Sequence, residues 1–145
     1  MRADQVASGL AELECPTVDD RAWVYPAAQP KVSIVSTAGL SHRGEAPFSF
    51  GGADYRVLDL DDPRDIVMTH ISTNFDRSGF AQDLNVVFPI DRLREMVADG
   101  GIGSLASLHY SFMGATDPAL MEPAAEMVAA AMIRDEVDVA VLVPV

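Results

Sequence analysis

The chain has 145 residues, of which 49% are hydrophobic and 22% are charged, and its formal net charge is −12 at pH 7. This length and composition are typical of one soluble globular domain with a sizeable core. The negative charge argues against nucleic-acid backbones and anionic membranes, because both are bound through basic patches. We therefore expect neither a nucleic-acid partner nor a membrane partner.

Apolar segments and cysteine content indicate the cellular context. The longest strongly apolar stretches, AAEMVAAAMI and VAVLVPV, are too short to span a bilayer, and MRADQVASGL lacks the apolar core of a signal peptide. We therefore expect a cytoplasmic protein. Cys15 is the only cysteine among the 145 residues, so they contain no intrachain disulfide, CxxC redox pair or cysteine-rich zinc site.

The first 30 residues are predicted to form a short helix followed by an extended arm. DQVASGLAEL places its apolar residues on one helical face, whereas the stretch from Cys15 to Pro30 contains three prolines and no clear period. Trp23 and Tyr25 are candidates to dock this arm on the protein surface or on a partner. We treat residues 1–30 as the arm and residues 31–145 as the folded domain.

Strands and helices alternate from residue 31 onward. KVSIVSTAGL is the predicted first core strand, ending at Gly39, and a loop of about fifteen residues, SHRGEAPFSFGGADY, follows it. RVLDL and IVMTH are predicted strands. DRLREMVADGG is a predicted helix with Asp91 as its cap and Leu93, Met96 and Val97 as its apolar stripe.

The last third of the chain continues this alternation. A strand is predicted over Ser107–Phe112, and a second helix begins at Asp117 and Pro118, a cap followed by proline at the first helical position. We expect its buried face to contain Leu120, Ala124, Met127, Val128 and Ala131, and we interpret Met96, Met127 and Met132 as core side chains. VDVAVLVPV does not alternate, which predicts a strand covered on both faces.

The order of these elements predicts an α/β fold, a single three-layer domain with a mostly parallel sheet flanked by helices. In such sheets, ligands bind outside the carboxyl ends of the strands. Three polar clusters, STAGLSHRGEAPF, THISTNFDRSG and HYSFMGA, follow or overlap apolar segments and contain His42, His70 and His109. If the strands are parallel, we expect all three clusters to share one edge.

The candidate residues of the second cluster and its surroundings each have two interpretations. His70 is a ligand, an acid/base or an anion donor, or else a histidine satisfied by a backbone carbonyl. Asp76 and Arg77 are site residues, or else a local ion pair in a turn. Asp83 and Asn85 are site residues, or else they terminate the loop through side chain to backbone bonds.

The other two clusters also have two interpretations. His109 and Tyr110 are site residues or half-buried packing residues, and Arg43 binds an anion or sits in a mobile loop tip. Thr37 and Gly39 offer a hydroxyl and exposed backbone amides for an anion or a carbonyl. HxH, HExxH, GxGxxG, GxxxxGK[ST] and GxSxG motifs are absent, so no metal, dinucleotide, P-loop or nucleophile-elbow motif is assigned.

Taken together, the clusters resemble a known family. VSTAGLSHRGEAPF, followed by THISTNFDRSGFAQDLNVVFPIDRLREMVADGGIGSLASLHYSFMG, resembles the selenoprotein B family of glycine, sarcosine, betaine and D-proline reductases. The similarity runs in order from about Val32 to the end of the sequence. It implies a multi-subunit enzyme that reductively cleaves a C–N bond next to a carbonyl or carboxylate.

The resemblance also implies a redox nucleophile. B subunits of this family carry a selenocysteine or cysteine in a short motif directly after a strand ending in a Pro-Val-like segment, and VDVAVLVPV matches that strand. The motif itself is missing after Val145, and Cys15 lies outside the matched region. We therefore expect a short form whose thiol or selenol comes from a partner chain, or from a segment beyond this sequence, or a protein with different chemistry on the same scaffold.

The resemblance and the clusters together give a first functional hypothesis, a reductase-like subunit acting on a small amino-acid-like or carbonyl substrate in a homo-oligomer or hetero-oligomer. The expected catalytic residues are His70, Asp76, His109 and Tyr110. The expected substrate-binding residues are Thr37, Gly39, Arg43, Arg77, Asp83 and Asn85.

Two alternatives stay open. One is a metal-dependent or cofactor-dependent enzyme with His70, Asp76 and His109 as ligands. The other is a non-catalytic binding subunit that interacts through the arm and the terminal apolar strand, because an edge strand invites pairing. The sequence identifies no cofactor.

Overall fold

A computed structural model describes residues 28–72 and 77–145 of the chain. The predicted N-terminal helix, most of the predicted arm and Asp76 lie outside these residues.

The strands form one five-stranded sheet and one two-stranded ribbon. The sheet contains β1 (Lys31–Ser36), β3 (Tyr55–Asp59), β5 (Ser104–Leu105), β6 (Leu108–Phe112) and β7 (Val139–Val143), and the ribbon contains β2 (Leu40–His42) and β4 (Ile66–Met68). Strand β1 is parallel to β5, β6 and β7, whereas β3 is antiparallel to β6 and β2 is antiparallel to β4. The predicted long loop is shorter than expected, because Ser41 and His42 belong to β2.

The register fixes the order of the strands. Val32 pairs with Leu105 of β5 and with Val139 of β7, and Val35 pairs with Tyr110 of β6 and with Leu142 of β7. Because a strand has one neighbour on each side, β5 and β6 lie on the same side of β1, and β7 lies on the other. The order across the sheet is therefore β3, then β6 with β5 in line, then β1, then β7.

In the described residues, two helices and a 3-10 helix lie between β4 and β5, and another helix lies between β6 and β7. They are α1 (Ser78–Gln82), a short 3-10 helix (Leu84–Val86), α2 (Ile90–Ala98) and α3 (Pro118–Arg134). Asp117 caps α3 as predicted, since its side chain accepts a hydrogen bond from the Ala119 N–H at 3.0 Å. Helix α2 begins at Ile90, so Asp91 lies in its first turn and is not its cap. None of the described helices combines the length and hydropathy needed to cross a bilayer.

Two hydrophobic cores lie on the two faces of the sheet. Ile34 and Leu93 of α2 belong to one core, and Tyr110 and Val128 of α3 belong to the other. Successive strand residues point to opposite faces, which is why Ile34 contributes to the first core and Val35 packs on the second. The three-layer α/β prediction is confirmed.

The buried face of α3 differs from the prediction. Val128 and Met132 are buried, whereas Leu120 is 58% exposed and Met127 is 60% exposed. Met96 of α2 is also 44% exposed, so the core assignment of the methionines is correct for Met132 alone. The prediction is correct for Val128, which is buried, and for Ala124 and Ala131, which pack against the same core, but it is wrong for Leu120 and Met127. Apolar residues occur on several sides of α3, so the sequence pattern selects no single buried face.

Strand β7 also differs from the prediction. Its residues alternate between half-buried and exposed, and Leu142 is 71% exposed. Among the described strands, β1 is the neighbour of β7 on one side, and none lies on its other side. Because every second residue of β7 is exposed, one face of the strand is open, and the expectation of a strand covered on both faces is wrong.

The orientation of α3 is tested by two methionine substitutions on neighbouring turns. We expect Met132→Ala to lower the free energy of unfolding by about 2 kcal/mol or more, because it leaves a cavity in the core. We expect Met127→Ala to change it by less than about 0.5 kcal/mol, because its side chain is exposed. Urea unfolding of both variants checks this, and a reversed ranking would contradict the assigned buried face.

Candidate functional site

Three chain segments meet at Gly39. Its φ angle is +65°, and a Cβ atom added there would lie 2.8 Å from the Met113 Cε and 3.0 Å from the His70 Cα. The Gly39 N–H donates to the Phe112 carbonyl at 2.9 Å, and the Gly39 carbonyl accepts from the Thr69 N–H at 2.8 Å. The segments that follow β1, β4 and β6 are therefore in direct contact.

Thr37 joins the end of β7 to this meeting point. Its N–H donates to the Val143 carbonyl at 3.1 Å, and its Oγ1 accepts from the Val145 N–H at 2.8 Å. Its carbonyl accepts from the Gly114 N–H at 2.8 Å. We call the resulting surface the carboxyl edge, formed by the segments 37–39, 69–72, 112–114 and 143–145.

The sequence predicted exposed backbone amides here, but the amides of residues 37–39 form hydrogen bonds within the protein. The Thr37 N–H binds Val143, the Ala38 N–H donates to the Ser36 Oγ at 3.2 Å, and the Gly39 N–H binds Phe112. These groups hold strand ends together, so they do not form an oxyanion hole in this arrangement. Thr37 and Gly39 contribute to the edge by shaping it.

His70 lies at the carboxyl edge, with its backbone close to Gly39, and is 6% exposed. Its Nδ1 accepts a hydrogen bond from the Ser72 N–H at 3.1 Å. Burial, and to a lesser extent the charge of Arg77, lowers the pKa of His70 below its ordinary value. The ring is therefore neutral at pH 7, and because Nδ1 is an acceptor, its proton lies on Nε2. His70 is thus equipped as a hydrogen-bond donor.

Arg77 stabilises the loop that carries His70. Its Nη2 donates to the His70 carbonyl at 2.7 Å and to the Ser72 carbonyl at 2.5 Å. The guanidinium group therefore brings a positive charge close to His70. Asp76, the preceding residue, lies outside the described part of the chain, and its role stays a prediction.

His42 and Arg43 lie at the other end of the β2–β4 ribbon. Leu40 pairs with Met68 beside the carboxyl edge, whereas His42 pairs with Ile66. The His42 Nδ1 donates to the Arg64 carbonyl at 3.2 Å, and its Nε2 accepts from the Asp59 N–H at 3.1 Å. All three polar clusters contribute to the carboxyl edge, through residues 37–39, 69–72 and 112–114, but the expectation is wrong for His42 and Arg43, because β2 carries them away from Gly39.

Arg43 is paired locally. Its Nε lies 3.1 Å from an Asp65 carboxylate oxygen, and both side chains are largely exposed. Arg43 therefore lies away from His70, and the structure does not place it as the counter-charge of the carboxyl edge.

His109 lies inside β6 and is fully buried. Its Nδ1 accepts a hydrogen bond from the Ile34 N–H at 2.9 Å, and its ring packs edge to face with Phe88 at a centroid distance of 5.4 Å. Strand β1 pairs with β5 at Val32 and with β6 from Val35 onward, so the imidazole fills a gap between two ladders. Burial, helped by the charge of Arg94, lowers the pKa of His109 to about 4.

Tyr110 points to the opposite face of the sheet. It packs in the α3-side core, with its ring centroid 6.0 Å from that of Tyr55. Burial raises the pKa of its hydroxyl group. His109 and Tyr110 therefore project to opposite faces of the sheet, because side chains alternate along β6, and their expected catalytic roles stay predictions.

Asp83 and Asn85 connect the 3-10 helix to α2. The Asp83 carboxylate accepts from the Asn85 N–H at 2.9 Å, and the Asn85 amide donates to Asp91 at 3.0 Å and accepts from the Asp91 N–H at 2.9 Å. The hydrogen bonds from Asn85 lower the pKa of Asp83. The interpretation that these residues terminate the loop is confirmed, and the structure does not bring them to the carboxyl edge.

A separate cleft lies near the end of β3. Its volume is about 260 Å³, and it is lined by Asp59, Leu60, Ile66 and Phe88 together with His42, Asp62, Arg64, Leu84, Ile90, Asp91 and Arg94. These residues come from several distant segments of the sequence. No local motif marks them, so sequence reasoning missed the cleft.

The metal hypothesis finds no support in the described ranges. Within residues 28–72 and 77–145, no group of three or more His, Cys, Asp or Glu side chains is close enough to hold a metal ion. The Nδ1 of His109 is already bound to the backbone of β1. Asp76 lies outside these ranges, so the ligand set of His70, Asp76 and His109 stays a prediction.

The model of the glycine/sarcosine/betaine reductase selenoprotein B family matches residues 19–145. The chain belongs to this family. Among curated proteins, the selenoprotein B-like chain is similar to D-proline reductase subunit gamma of Acetoanaerobium sticklandii, with 29% identity over 115 residues. That alignment covers 75% of this chain and 47% of the relative, so the chain spans about half the length of the curated relative it matches. No solved structure matches it significantly.

The structural role of His109 predicts a pH dependence of stability. Its pKa is lower in the folded state than its ordinary value of 6.5. The contribution of neutral His109 to the free energy of unfolding is therefore complete above pH 6.5 and is lost as the pH falls towards about 4. Relative to a His109→Gln variant, which keeps an acceptor oxygen but does not titrate, the wild type should lose about 3 kcal/mol over this range. Urea unfolding at both pH values measures this, and parallel profiles would contradict it.

Proposed function

We propose that this chain is the substrate-positioning part of a reductase that cleaves the C–N bond of a small amino-acid-like substrate. The bond lies next to a carbonyl or carboxylate, and the thiol or selenol nucleophile comes from a partner chain. Family membership supports the reaction class, and the name of the relative, a reductase subunit, supports assembly with other subunits.

The observation that carries the site is the contact at Gly39. It brings the ends of β1 and β6 together with the His70 loop at the carboxyl edge of a mostly parallel sheet. Ligands of open α/β sheets bind at this edge, outside the carboxyl ends of the strands. Of the three histidines, His70 is the one in direct contact with this point.

The proposed chemistry divides the work between chains. In the reductive cleavage, the C–N bond breaks, a C–H bond forms and the nitrogen leaves as an amine. A thiol pair, or a thiol and a selenol, supplies the two electrons and becomes oxidised. Residues 28–72 and 77–145 contain no cysteine, since Cys15 is the only one in the sequence. This part of the chain therefore binds and orients the substrate.

His70 and Arg77 are the groups suited to that task. The Nε2–H of neutral His70 donates a hydrogen bond to a carbonyl or carboxylate oxygen of the substrate. The guanidinium group of Arg77, held against the same loop, favours an anionic substrate group. Asp76 is the proposed acid/base residue for the leaving nitrogen.

The proposal is tested with the complete chain and a thiol-bearing or selenol-bearing partner subunit. Turnover is measured with glycine, sarcosine, betaine and D-proline. We expect a His70→Asn variant to lower kcat/KM for the active substrate by about a hundredfold, because the shorter amide can accept from the Ser72 N–H in place of Nδ1 but has no donor at the position of Nε2.

His42→Asn is the matched control, because His42 is also a buried histidine that donates and accepts hydrogen bonds but lies away from the carboxyl edge. This variant should keep kcat/KM within about threefold of the wild type. Full activity of His70→Asn, or equal losses in both variants, would contradict the proposed site.

A further inference from the structure

Strand β7 lies at one side of the main sheet without the features that usually protect an outer strand. All five of its residues, Val139–Val143, are apolar, and β1 is its one neighbour among the described strands. Outer strands of native sheets normally carry a charged residue, a proline or a bulge that prevents pairing with another chain. Strand β7 contains no such residue, and its unbroken register with β1 contains no bulge.

The opposite side of the sheet shows the contrast. Its outer strand, β3, contains the charged residues Arg56 and Asp59. The Asp59 N–H donates to the His42 Nε2 at 3.1 Å, and the Arg56 guanidinium donates to the Ala46 carbonyl at 3.3 Å. The fold therefore covers β3 with neighbouring segments and leaves β7 uncovered by any described segment.

The uncovered backbone groups of β7 belong to Ala140 and Leu142. The Val143 carbonyl accepts from the Thr37 N–H at 3.1 Å, so Val143 turns its backbone groups towards β1 and the segment that follows it. Because backbone groups alternate in direction along a strand, the N–H and C=O groups of Ala140 and Leu142 point away from β1. We call this row of groups the open side of β7. A strand that docks there gains backbone hydrogen bonds without displacing those to β1.

The side chains of the same two residues are exposed. The other residues of the strand are valines that pack against the core containing Ile34, so Ala140 and Leu142 face the opposite side of the sheet. Leu142 is 71% exposed there. A docked strand therefore also buries apolar surface, which adds to the backbone hydrogen bonds.

The surroundings of β7 are acidic. Residues 117–145 contain six acidic residues and one basic residue. Three of the acidic residues, Asp135, Glu136 and Asp138, come directly before the strand. The nearby Lys31 donates its Nζ hydrogen bond to the Asp135 carbonyl at 2.6 Å and is engaged there. This surface favours a partner that brings positive charge next to the start of β7.

The same charge argues against two other occupants. Residues 1–27 contain five acidic and two basic residues, so they would add negative charge to an acidic surface. A second copy would bring a further formal charge of −12. Charge complementarity therefore favours a separate chain with basic residues.

The open side of β7 leads directly to the candidate site. Residues 143–145, which follow it, belong to the carboxyl edge, and the Val145 N–H donates to the Thr37 Oγ1 at 2.8 Å. A strand docked on β7 therefore has one end beside the carboxyl edge, where the proposed function requires a partner to deliver its nucleophile.

We propose that the open side of β7 docks an extended segment of a separate partner subunit. This segment adds a strand to the sheet and carries basic residues beside Asp135, Glu136 and Asp138. The proposal rests on the proposed function for the presence of a partner subunit, but it does not depend on the reaction that the complex performs.

Two matched peptides test the proposal on the complete chain. Both have a core of alternating valine and threonine, and one carries a pair of arginines at each end where the other carries glutamates. Fluorescence anisotropy of the labelled peptides is measured with protein at up to about 1 mM. We expect the arginine peptide to bind at least about tenfold more tightly at low salt, and this difference should shrink at high salt.

Proline substitutions locate the bound peptide. Ala140→Pro and Leu142→Pro each remove an N–H of the open side, which makes no bond to β1, so the fold should tolerate them. Each should weaken binding of the arginine peptide by at least about tenfold. Leu142→Ile keeps the N–H and an apolar side chain, and this control should bind within about threefold of the wild type. Thermal unfolding verifies that the variants are folded.

Amide hydrogen exchange of the wild type gives a readout that needs no variant. The N–H groups of Ala140 and Leu142 should exchange rapidly in the free chain and become protected when the arginine peptide is bound. The N–H of Val141, which points to β1, should be protected in both states.

Several results would overturn the proposal. They are no binding of the arginine peptide, equal binding of the two peptides, or unchanged binding by folded proline variants. Protection of Ala140 and Leu142 in the peptide-free chain would also overturn it, because residues 1–27 or a second copy would then cover the open side. No substrate takes part in these measurements, so their failure is distinguishable from a failure of the reductase proposal, which the His70→Asn variant tests.

Discussion

The close approach of three chain segments at Gly39 is the constraint on which the candidate site depends. Met113 and the His70 backbone occupy the space where a Cβ atom would lie, and the φ angle of +65° is one that glycine adopts without strain. This contact is the reason why a two-stranded ribbon, paired away from the main sheet, still delivers His70 to the carboxyl edge.

The three histidines show how surroundings assign different roles to one residue type. His109 uses Nδ1 to satisfy a backbone N–H of β1, and His42 uses Nδ1 and Nε2 to satisfy the Arg64 carbonyl before β4 and the Asp59 N–H of β3. His70 also uses Nδ1 to bind a backbone group, the Ser72 N–H, but it lies in a loop beside Arg77, with its carbonyl bound by the guanidinium. Burial keeps both His70 and His109 neutral at pH 7, but the first lies at a strand end and the second lies within the sheet.

The layer architecture could be predicted from the sequence because it rests on local signals. The apolar run at Lys31–Ser36 and the cap at Asp117 are read directly from neighbouring residues, and the family resemblance to selenoprotein B is confirmed by the comparison. The position of His70 just after a strand was predictable for the same reason.

The remaining features depend on contacts between distant segments. Nothing local shows that Leu40–His42 pairs with Ile66–Met68, so the separation of His42 from His70 was not predictable. The predicted strand over Ser107–Phe112 already contained His109, but the hydrogen bond from the Ile34 N–H to its Nδ1 joins distant segments and was not predictable. On α3, apolar residues on several sides leave the buried face to be chosen by packing.

The most direct test of this account compares two alanine substitutions. Gly39 and Gly51 have nearly equal φ angles, +65° and +69°, but a Cβ at Gly51 meets no atom within 4 Å. Gly51→Ala therefore reports backbone strain alone, at about 1 kcal/mol of unfolding free energy, whereas Gly39→Ala adds the clash with His70 and Met113. Urea unfolding should show that Gly39→Ala costs at least about 1 kcal/mol more than Gly51→Ala. Equal costs would contradict the claim that the contact at Gly39 holds the carboxyl edge together.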